Sequence, residues 1–105
     1  MNGESMKNKT AEIGGICQSK QGRDKDRYYI IVGLNADGTI AVADGNFKKL
    51  ATPKNKNFRH LRLLPEKAET IGAKLLEGRQ VYDSEIYSAL KSYNFPETAG
   101  NVKET

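Results

Sequence analysis

The sequence predicts a small, mainly β fold in which five short antiparallel strands close into a barrel, followed by two C-terminal helices. Between residues 13 and 64, the apolar residues come in short runs separated by turn signals, which is typical of a small antiparallel β domain. After Pro65 the spacing of apolar residues changes from two to about 3.6, which indicates helices. At 105 residues, the chain can bury enough surface for one domain and not for two.

Alternation and turn residues define the first three strands. The first strand covers residues 13–19 and the second covers residues 27–34. One face of the second strand carries Tyr28, Ile30, Val32 and Leu34, and the other carries Tyr29 and Ile31. A turn at residues 35–38 leads into the third strand at residues 39–43.

The fourth and fifth strands lie on either side of a loop that contains Pro53. The Asp44-Gly45 pair favours a tight turn with positive φ, so the fourth strand is predicted at residues 46–50. The loop covers residues 51–57, and the fifth strand follows at residues 58–63. Five strands of this length can close into a small barrel.

Two helices are predicted after the strands. The first follows Pro65 and ends at Gly78, and its apolar stripe consists of Ala68, Ile71, Leu75 and Leu76. The second begins at Asp83 or Ser84, either of which can cap free N–H groups, and its apolar face consists of Ile86, Leu90 and Tyr93. Gly72 either weakens the first helix or permits close approach to a strand.

The ends of the chain are polar and lack periodicity. We therefore expect disordered tails at residues 1–11 and 95–105. This leaves the barrel at residues 12–64 and a helical extension, packed on the barrel, at residues 65–94.

Positive charge is concentrated in the predicted barrel. Residues 13–65 hold ten Lys and Arg against four Asp and Glu, whereas residues 66–105 hold five against seven. A concentrated positive field attracts polyanions and speeds their encounter, so nucleic acid is the expected partner. Surface lysines that are merely solvated are the alternative.

Several classes of protein are excluded by what the sequence lacks. A single cysteine, Cys17, rules out an internal disulfide framework and a multi-cysteine zinc site, and it fits a reducing cytoplasm. No apolar core of a signal peptide is present, and the apolar run at residues 28–34 is too short to span a bilayer. Because the helical part is acidic, we expect no membrane binding. We expect a cytoplasmic protein that needs no cofactor or metal and is a monomer when free.

A loop between the first two strands carries four cations within eight residues. Gly22 permits a tight turn there, and Lys20, Arg23, Lys25 and Arg27 would repel one another unless an anion or an acid balanced them. Asp24 and Asp26 could balance them within the loop. Contact with an external phosphate is the interpretation that we favour.

This region resembles the KOW motif, a glycine-centred loop that joins two strands of an SH3-like barrel in ribosomal proteins and transcription elongation factors. The segment at residues 40–45 resembles the strand and Asp-Gly turn of the large-subunit ribosomal protein family called fourteen-e. Over residues 13–92 the chain is similar to short bacterial KOW-domain RNA-binding proteins related to that family, through GRDK at 22–25, ADG at 43–45, PKNK at 53–56 and His60-Leu61. Asp26 and Tyr29 stand where KOW motifs often have glycine.

The resemblance implies an SH3-like barrel of the KOW type and RNA binding, and it does not name the RNA. We expect a non-catalytic protein that binds structured RNA, ribosomal RNA above all, with ribosomal proteins as further partners. The residues that we expect to bind RNA are Ser19, Lys20, Gly22, Arg23, Asp24, Lys25, Arg27, Tyr29, Lys48, Lys49, Lys54, Lys56, Arg59, His60 and Arg62.

A second basic cluster lies between residues 48 and 62. It consists of Lys48, Lys49, Lys54, Lys56, Arg59 and Arg62. A barrel can bring this cluster beside the first loop, and both would then neutralise backbone phosphates and recognise RNA by its shape. For Lys48 and Lys49 the alternative is that they prevent edge-to-edge pairing of sheets. His60 is expected on the fifth strand near this surface, since a lone histidine makes no common zinc site.

Three aromatic residues could stack on unpaired bases: Tyr29, Phe47 and Phe58. A barrel this small needs large side chains in its core, so we expect core packing for each, with Tyr29 the best candidate for stacking.

Two other classes of function stay open. The barrel could dock on a protein of ribosome assembly or transcription, with the helices supplying the contact. Catalysis is not expected, because the only candidates are Cys17, His60, Asp24 and Asp44, and no nucleophile elbow or phosphate-cradling glycine loop accompanies them. We expect Cys17 to pack as a small hydrophobic residue.

Overall fold

The computed structural model describes residues 10–96, and that range contains one five-stranded antiparallel sheet and two helices. In chain order the elements are β1 (Gly15–Ser19), β2 (Tyr28–Leu34), β3 (Ile40–Ala43), β4 (Lys54–Lys56), a 3₁₀ turn (Phe58–His60), β5 (Leu61–Lys67), α1 (Glu69–Leu76) and α2 (Asp83–Asn94). The predicted class, mainly β with two C-terminal helices, is confirmed. Neither helix of the described range is long and apolar enough to cross a membrane.

The strands lie in the order β4-β3-β2-β1-β5, and each pairs antiparallel with its neighbours. β4 and β5 are therefore at opposite ends of the order, although only Asn57 and the 3₁₀ turn separate them in the chain. The Asn57 side chain accepts a hydrogen bond from the backbone N–H of Arg59 and so starts this turn.

The predictions for the fourth and fifth strands are wrong in position. Residues 46–50 form a turn, because the Asp44 carboxylate accepts hydrogen bonds from the backbone N–H groups of Asn46 and Lys48 and so replaces the pairing a strand would need. The fourth strand instead lies in the predicted loop, where Lys56 pairs with Ile40 of β3. The fifth strand starts three residues later than predicted because of the 3₁₀ turn.

The sheet is apolar on both faces, as the alternation in the second strand predicts. Ile30 packs with Ile16 and with Ile71, Ile86 and Leu90 of the two helices. On the other face, Tyr29 and Ile31 pack with Cys17, Val42 and Leu61. Leu34 is the exception, since its side chain is exposed.

The predicted tails at residues 1–11 and 95–105 lie mostly outside the described residues. Ala11, which the sequence assigns to the first tail, packs against the Tyr29 face of the core. The core therefore includes a residue of the predicted first tail.

The first helix packs closely on the segment before β1 and differs from the prediction in its start and in its apolar stripe. Gly72 serves close approach: a Cβ on Gly14, in the segment before β1, would lie 2.7 Å from the Gly72 Cα. The first helix begins at Glu69 because β5 continues to Lys67, and Leu76 is exposed although it was predicted in the apolar stripe.

The second helix fixes the turn at residues 44–50. It begins at Asp83 as predicted, but the Asp83 carboxylate accepts a hydrogen bond from the backbone N–H of Leu50 and does not cap the helix. Gly45, with φ +78°, lies so close to this helix that a Cβ there would be 2.3 Å from the Asp83 carbonyl oxygen. Only glycine fits at this contact.

We expect Gly45→Ala to lower the free energy of unfolding by about 3 kcal/mol or more, since it adds a backbone clash to the strain of positive φ. Gly38→Ala is the matched control, because Gly38 has φ +92° and nothing lies within 4 Å of its Cβ position. That variant should lose about 1 kcal/mol. Urea denaturation measures both, and equal losses would contradict the docking of this turn on α2.

Candidate nucleic-acid interface

A buried polar network lies beneath the first basic loop, which comprises residues 20–27. The Asp24 carboxylate accepts hydrogen bonds from the Ser19 hydroxyl at 2.9 Å, from the Lys56 ammonium at 3.0 Å and from the Tyr29 hydroxyl. Lys56 also donates to the Gln21 carbonyl oxygen at 2.9 Å, and its side chain is only 7% exposed. The network therefore ties β4 to the loop between β1 and β2.

Four of the predicted RNA-binding residues are members of this network and have structural contacts within the protein. Ser19, Asp24, Tyr29 and Lys56 are buried. Their polar atoms are satisfied by one another, and the ring of Tyr29 is 0% exposed, so it cannot stack on a base. A buried ammonium is stable only beside a counter-charge, which Asp24 supplies.

The charge states within the network follow from its contacts. Burial raises the pKa of Asp24, but hydrogen bonds from Tyr29, Lys56 and Ser19, together with the charge of Lys56, outweigh it and hold that pKa at about 2. Burial raises the pKa of Tyr29 far above its usual value, and the bond to the Asp24 carboxylate raises it further. At neutral pH the carboxylate is therefore charged and the phenol is a neutral donor.

The low pKa of Asp24 gives an expected acid sensitivity. Because the folded-state pKa of about 2 lies below the reference value of 3.8, the group stabilises the fold above pH 4. That contribution, about 2 kcal/mol, disappears as the pH falls from about 4 to about 2. The Asp24→Asn/Lys56→Met double variant lacks this carboxylate and should lose correspondingly less stability over that interval in urea denaturation. Equal losses in the two proteins would contradict the assignment.

The structure brings the first basic loop and the second cluster together at one place. Arg23 and Arg27 of the loop, with Lys48 and Lys54 of the second cluster, line a shallow depression of about 240 Å³, hereafter the basic depression. Asp24 and Tyr29 form its floor. Cations that are about 25 residues apart in sequence thus share one surface.

The cations of the first loop are not balanced by the acids of that loop. Within residues 10–96, no carboxylate oxygen lies within 4.0 Å of the charged nitrogens of Lys20, Arg23, Lys25 or Arg27. Asp24 pairs instead with Lys56, at 3.0 Å, and with Lys54, at 4.0 Å. The alternative that the loop neutralises itself is therefore wrong for the described residues.

Some predicted residues lie beside the loop but outside the basic depression. The backbone N–H of Lys20 donates to the His60 carbonyl oxygen, so Lys20 adjoins the exposed Arg59. His60 itself lies in the 3₁₀ turn and not on a strand. Arg62 donates twice to the Gln18 side chain, which in turn donates to the Asp26 carbonyl oxygen.

The remaining predicted residues are exposed at turns. Lys25 lies in the first basic loop, and Lys49 lies in the turn at residues 44–50. Since neither Lys48 nor Lys49 is on a strand, a role in preventing edge pairing is wrong for both. Gly22 has φ +101° and makes the predicted tight turn, and Asp26 has φ +77°.

The sequence prediction missed Phe47 as a surface residue. It was expected in the core, yet the residue is 63% exposed, and the guanidinium carbon of Arg27 lies 4.2 Å from the ring centroid. Phe58 is also exposed and not in the core. The signal that was available was the Asp44-Gly45 turn directly before Phe47, which argues against a buried strand at that position.

A second, slightly larger cavity adjoins the basic depression. It has a volume of about 290 Å³, and its aromatic lining consists of Phe47, Tyr87 and Phe95; we refer to it as the aromatic cleft. Arg23, Asp24 and Arg27 line both cavities. The two are therefore parts of one continuous surface.

Three of the four residues considered for catalysis, Cys17, Asp24 and Asp44, are engaged in structural contacts. Burial raises the pKa of Cys17 to about 12, although the charge of Lys56 lowers it, so the thiol is protonated at neutral pH. The Asp44 carboxylate holds the turn that carries Phe47. Within residues 10–96, no group of three or more His, Cys, Asp or Glu side chains is placed to hold a metal ion.

A scan of the chain against models of protein families finds no matching family. A search of curated proteins finds no match either. Function is therefore inferred from the residues and their geometry.

Proposed function

We propose that this chain is a non-catalytic RNA-binding protein of the KOW type, whose basic depression binds the backbone phosphates of a structured RNA, with ribosomal RNA as the favoured target. One observation carries the proposal: four cations from two separate segments line one depression, while the acid beneath them pairs most closely with the buried Lys56, at 3.0 Å, and only at 4.0 Å with one of the four, Lys54. Clustered cations bind polyanions by releasing condensed counterions. Rigid spacing of the cations favours RNA whose phosphates are themselves held in a fixed arrangement.

Closure of the sheet into an SH3-like barrel is part of this proposal. In a flat five-stranded sheet the edge strands would be separated by four spacings, about 19 Å. The chain from Lys56 to Leu61 reaches at most about 18 Å when fully extended. It reaches less here, because Phe58–His60 is a 3₁₀ turn that advances only about 2 Å per residue. A curved sheet whose edges approach each other accounts for so short a connection.

The buried network supports the same closure. Lys56 on β4 donates to the Gln21 carbonyl oxygen, which belongs to the loop after β1, although β3 and β2 lie between these strands in the sheet. Curling of the sheet would bring the Lys56 side chain within reach of this loop. The same bond holds the first basic loop rigid beside the second cluster.

The conformation of the loop supports the resemblance to the KOW motif. Asp26 has φ +77°, a value that favours glycine, and it stands where KOW motifs often have glycine. Its backbone N–H donates to the Ser19 carbonyl oxygen, which closes the loop at its base. The backbone path is thus one that a glycine would adopt readily.

Ultraviolet crosslinking in cells tests the proposal. We expect crosslinked RNA to map to peptides that contain residues 20–27 and 46–54, and the recovered RNA to be a structured species, ribosomal RNA in the favoured case. A protein that retains partner proteins after ribonuclease treatment, with no crosslink to either segment, would instead support the protein-docking alternative and contradict RNA binding.

A further inference from the structure

Among residues 10–96, no aromatic ring stacks on the Phe47 ring of the aromatic cleft, and one face of that ring is open. Phe47 has one face covered by the Arg27 guanidinium, yet 63% of the residue remains exposed, so its other face is open to solvent. Phe95 is also exposed and is tilted against Tyr87 with ring centroids 6.0 Å apart. Exposed aromatic rings that line a concave site are typical stacking surfaces.

The rim of the cleft offers hydrogen-bonding groups of both kinds. The Asp26 carboxylate is a pure acceptor, whereas the Asn46 amide both donates and accepts, and both residues are exposed. Asn94 also lines the cleft, but its amide is engaged with the backbone N–H and C=O of Tyr28. Asp26 and Asn46 can therefore face a ligand, as can the exposed Lys25, which also lines the cleft and adds a charged donor.

Size and position restrict what the cleft can hold. Its volume of about 290 Å³ is at the lower end of the range for small-molecule sites, which suits one planar ring system and not a stretch of chain. The cleft shares Arg23 and Arg27 with the basic depression. If these residues bind a phosphate, the nucleoside attached to that phosphate would lie at the mouth of the cleft.

We propose that the aromatic cleft binds one unpaired base of the RNA whose phosphates occupy the basic depression, an inference that rests on the proposed function. The base stacks on the open face of Phe47, and Asp26 and Asn46 contact its polar edge. An aromatic face accepts any base. The cleft therefore favours an extruded nucleotide in a structured RNA more strongly than it favours one particular base.

The test uses two RNA hairpins that differ by a single bulged 5-iodouridine, with binding measured at one fixed salt concentration. We expect the full chain to bind the bulged hairpin roughly tenfold more tightly than the fully paired one. Irradiation should crosslink the iodinated base to Phe47. Phe47→Leu should abolish both the preference and the crosslink, while the affinity for the paired hairpin stays unchanged.

Two further variants keep the result interpretable. Tyr82→Leu is the matched control, because Tyr82 is 60% exposed and does not line the cleft, and it should retain the preference and the crosslink. Asn46→Ala changes an exposed side chain and should reduce the preference about threefold without removing the crosslink.

The outcomes separate this inference from the proposed function. Equal affinity for the two hairpins, or a preference that persists in Phe47→Leu, would overturn the assignment of the cleft while leaving phosphate binding intact. Failure of the chain to bind either hairpin would overturn both proposals.

Discussion

Replacing Asp24 with asparagine is expected to lower the free energy of unfolding by about 3–5 kcal/mol, measured by urea denaturation at neutral pH. The substitution keeps the shape of the side chain but removes the charge that balances Lys56. Because the Lys56 side chain is only 7% exposed, its ammonium would then be buried without a counter-charge.

The partner of Lys56 can be identified by a double-mutant cycle. Lys56→Met alone should also destabilise strongly, whereas Asp24→Asn/Lys56→Met should recover at least about 2 kcal/mol relative to the sum of the single losses. Lys67→Met is the control for an exposed ion pair, since Lys67 contacts the exposed Glu12, and it should lose less than about 1 kcal/mol. A loss of that small size for Asp24→Asn would contradict the buried network.

Removing three cations from the basic depression is expected to weaken RNA binding roughly 100-fold at a fixed, low salt concentration, at about 1 kcal/mol per contact. The variant is Arg23→Gln/Lys48→Gln/Lys54→Gln, which takes one residue from the first loop and two from the second cluster. Arg27 is left in place because it covers one face of Phe47.

The control variant removes the same charge from other surfaces. Lys67→Gln/Arg79→Gln/Lys91→Gln changes residues that line neither the basic depression nor the aromatic cleft. It should weaken binding only a few-fold, through the loss of general attraction. If both triple variants lose affinity equally, binding depends on net charge and not on this surface.

The sequence predicted the elements that local pattern determines. Alternation in β2, the turn at Gly22 and the start of α2 at Asp83 depend on residues close together in the chain, and all three are confirmed. The position of β4 could not be predicted this way. Lys54–Lys56 has no apolar residue, and it is a strand because of pairing with β3 and because Lys56 reaches Asp24.

For the candidate site, too, the sequence predicted what local pattern determines and not what tertiary contacts determine. Charge patterning indicated which segments are basic, and those segments do meet in the basic depression. Which lysine points outward depends on tertiary contacts, so Lys56 was assigned to the surface although it is buried, whereas Phe47 was assigned to the core although it is exposed. A single sequence shows neither which lysine the buried Asp24 selects as its partner nor how the Asp44 carboxylate holds the turn that carries Phe47.

The salt dependence of RNA affinity is the most direct test of the central claim that cations from two segments bind phosphates together. Four cations that each neutralise one phosphate predict that log affinity falls linearly with log salt concentration, with a slope of about −3 or steeper. Arg23→Gln/Lys48→Gln/Lys54→Gln should flatten that slope by about 2. An affinity that does not change with salt, or a slope that the triple variant leaves unaltered, would contradict the claim.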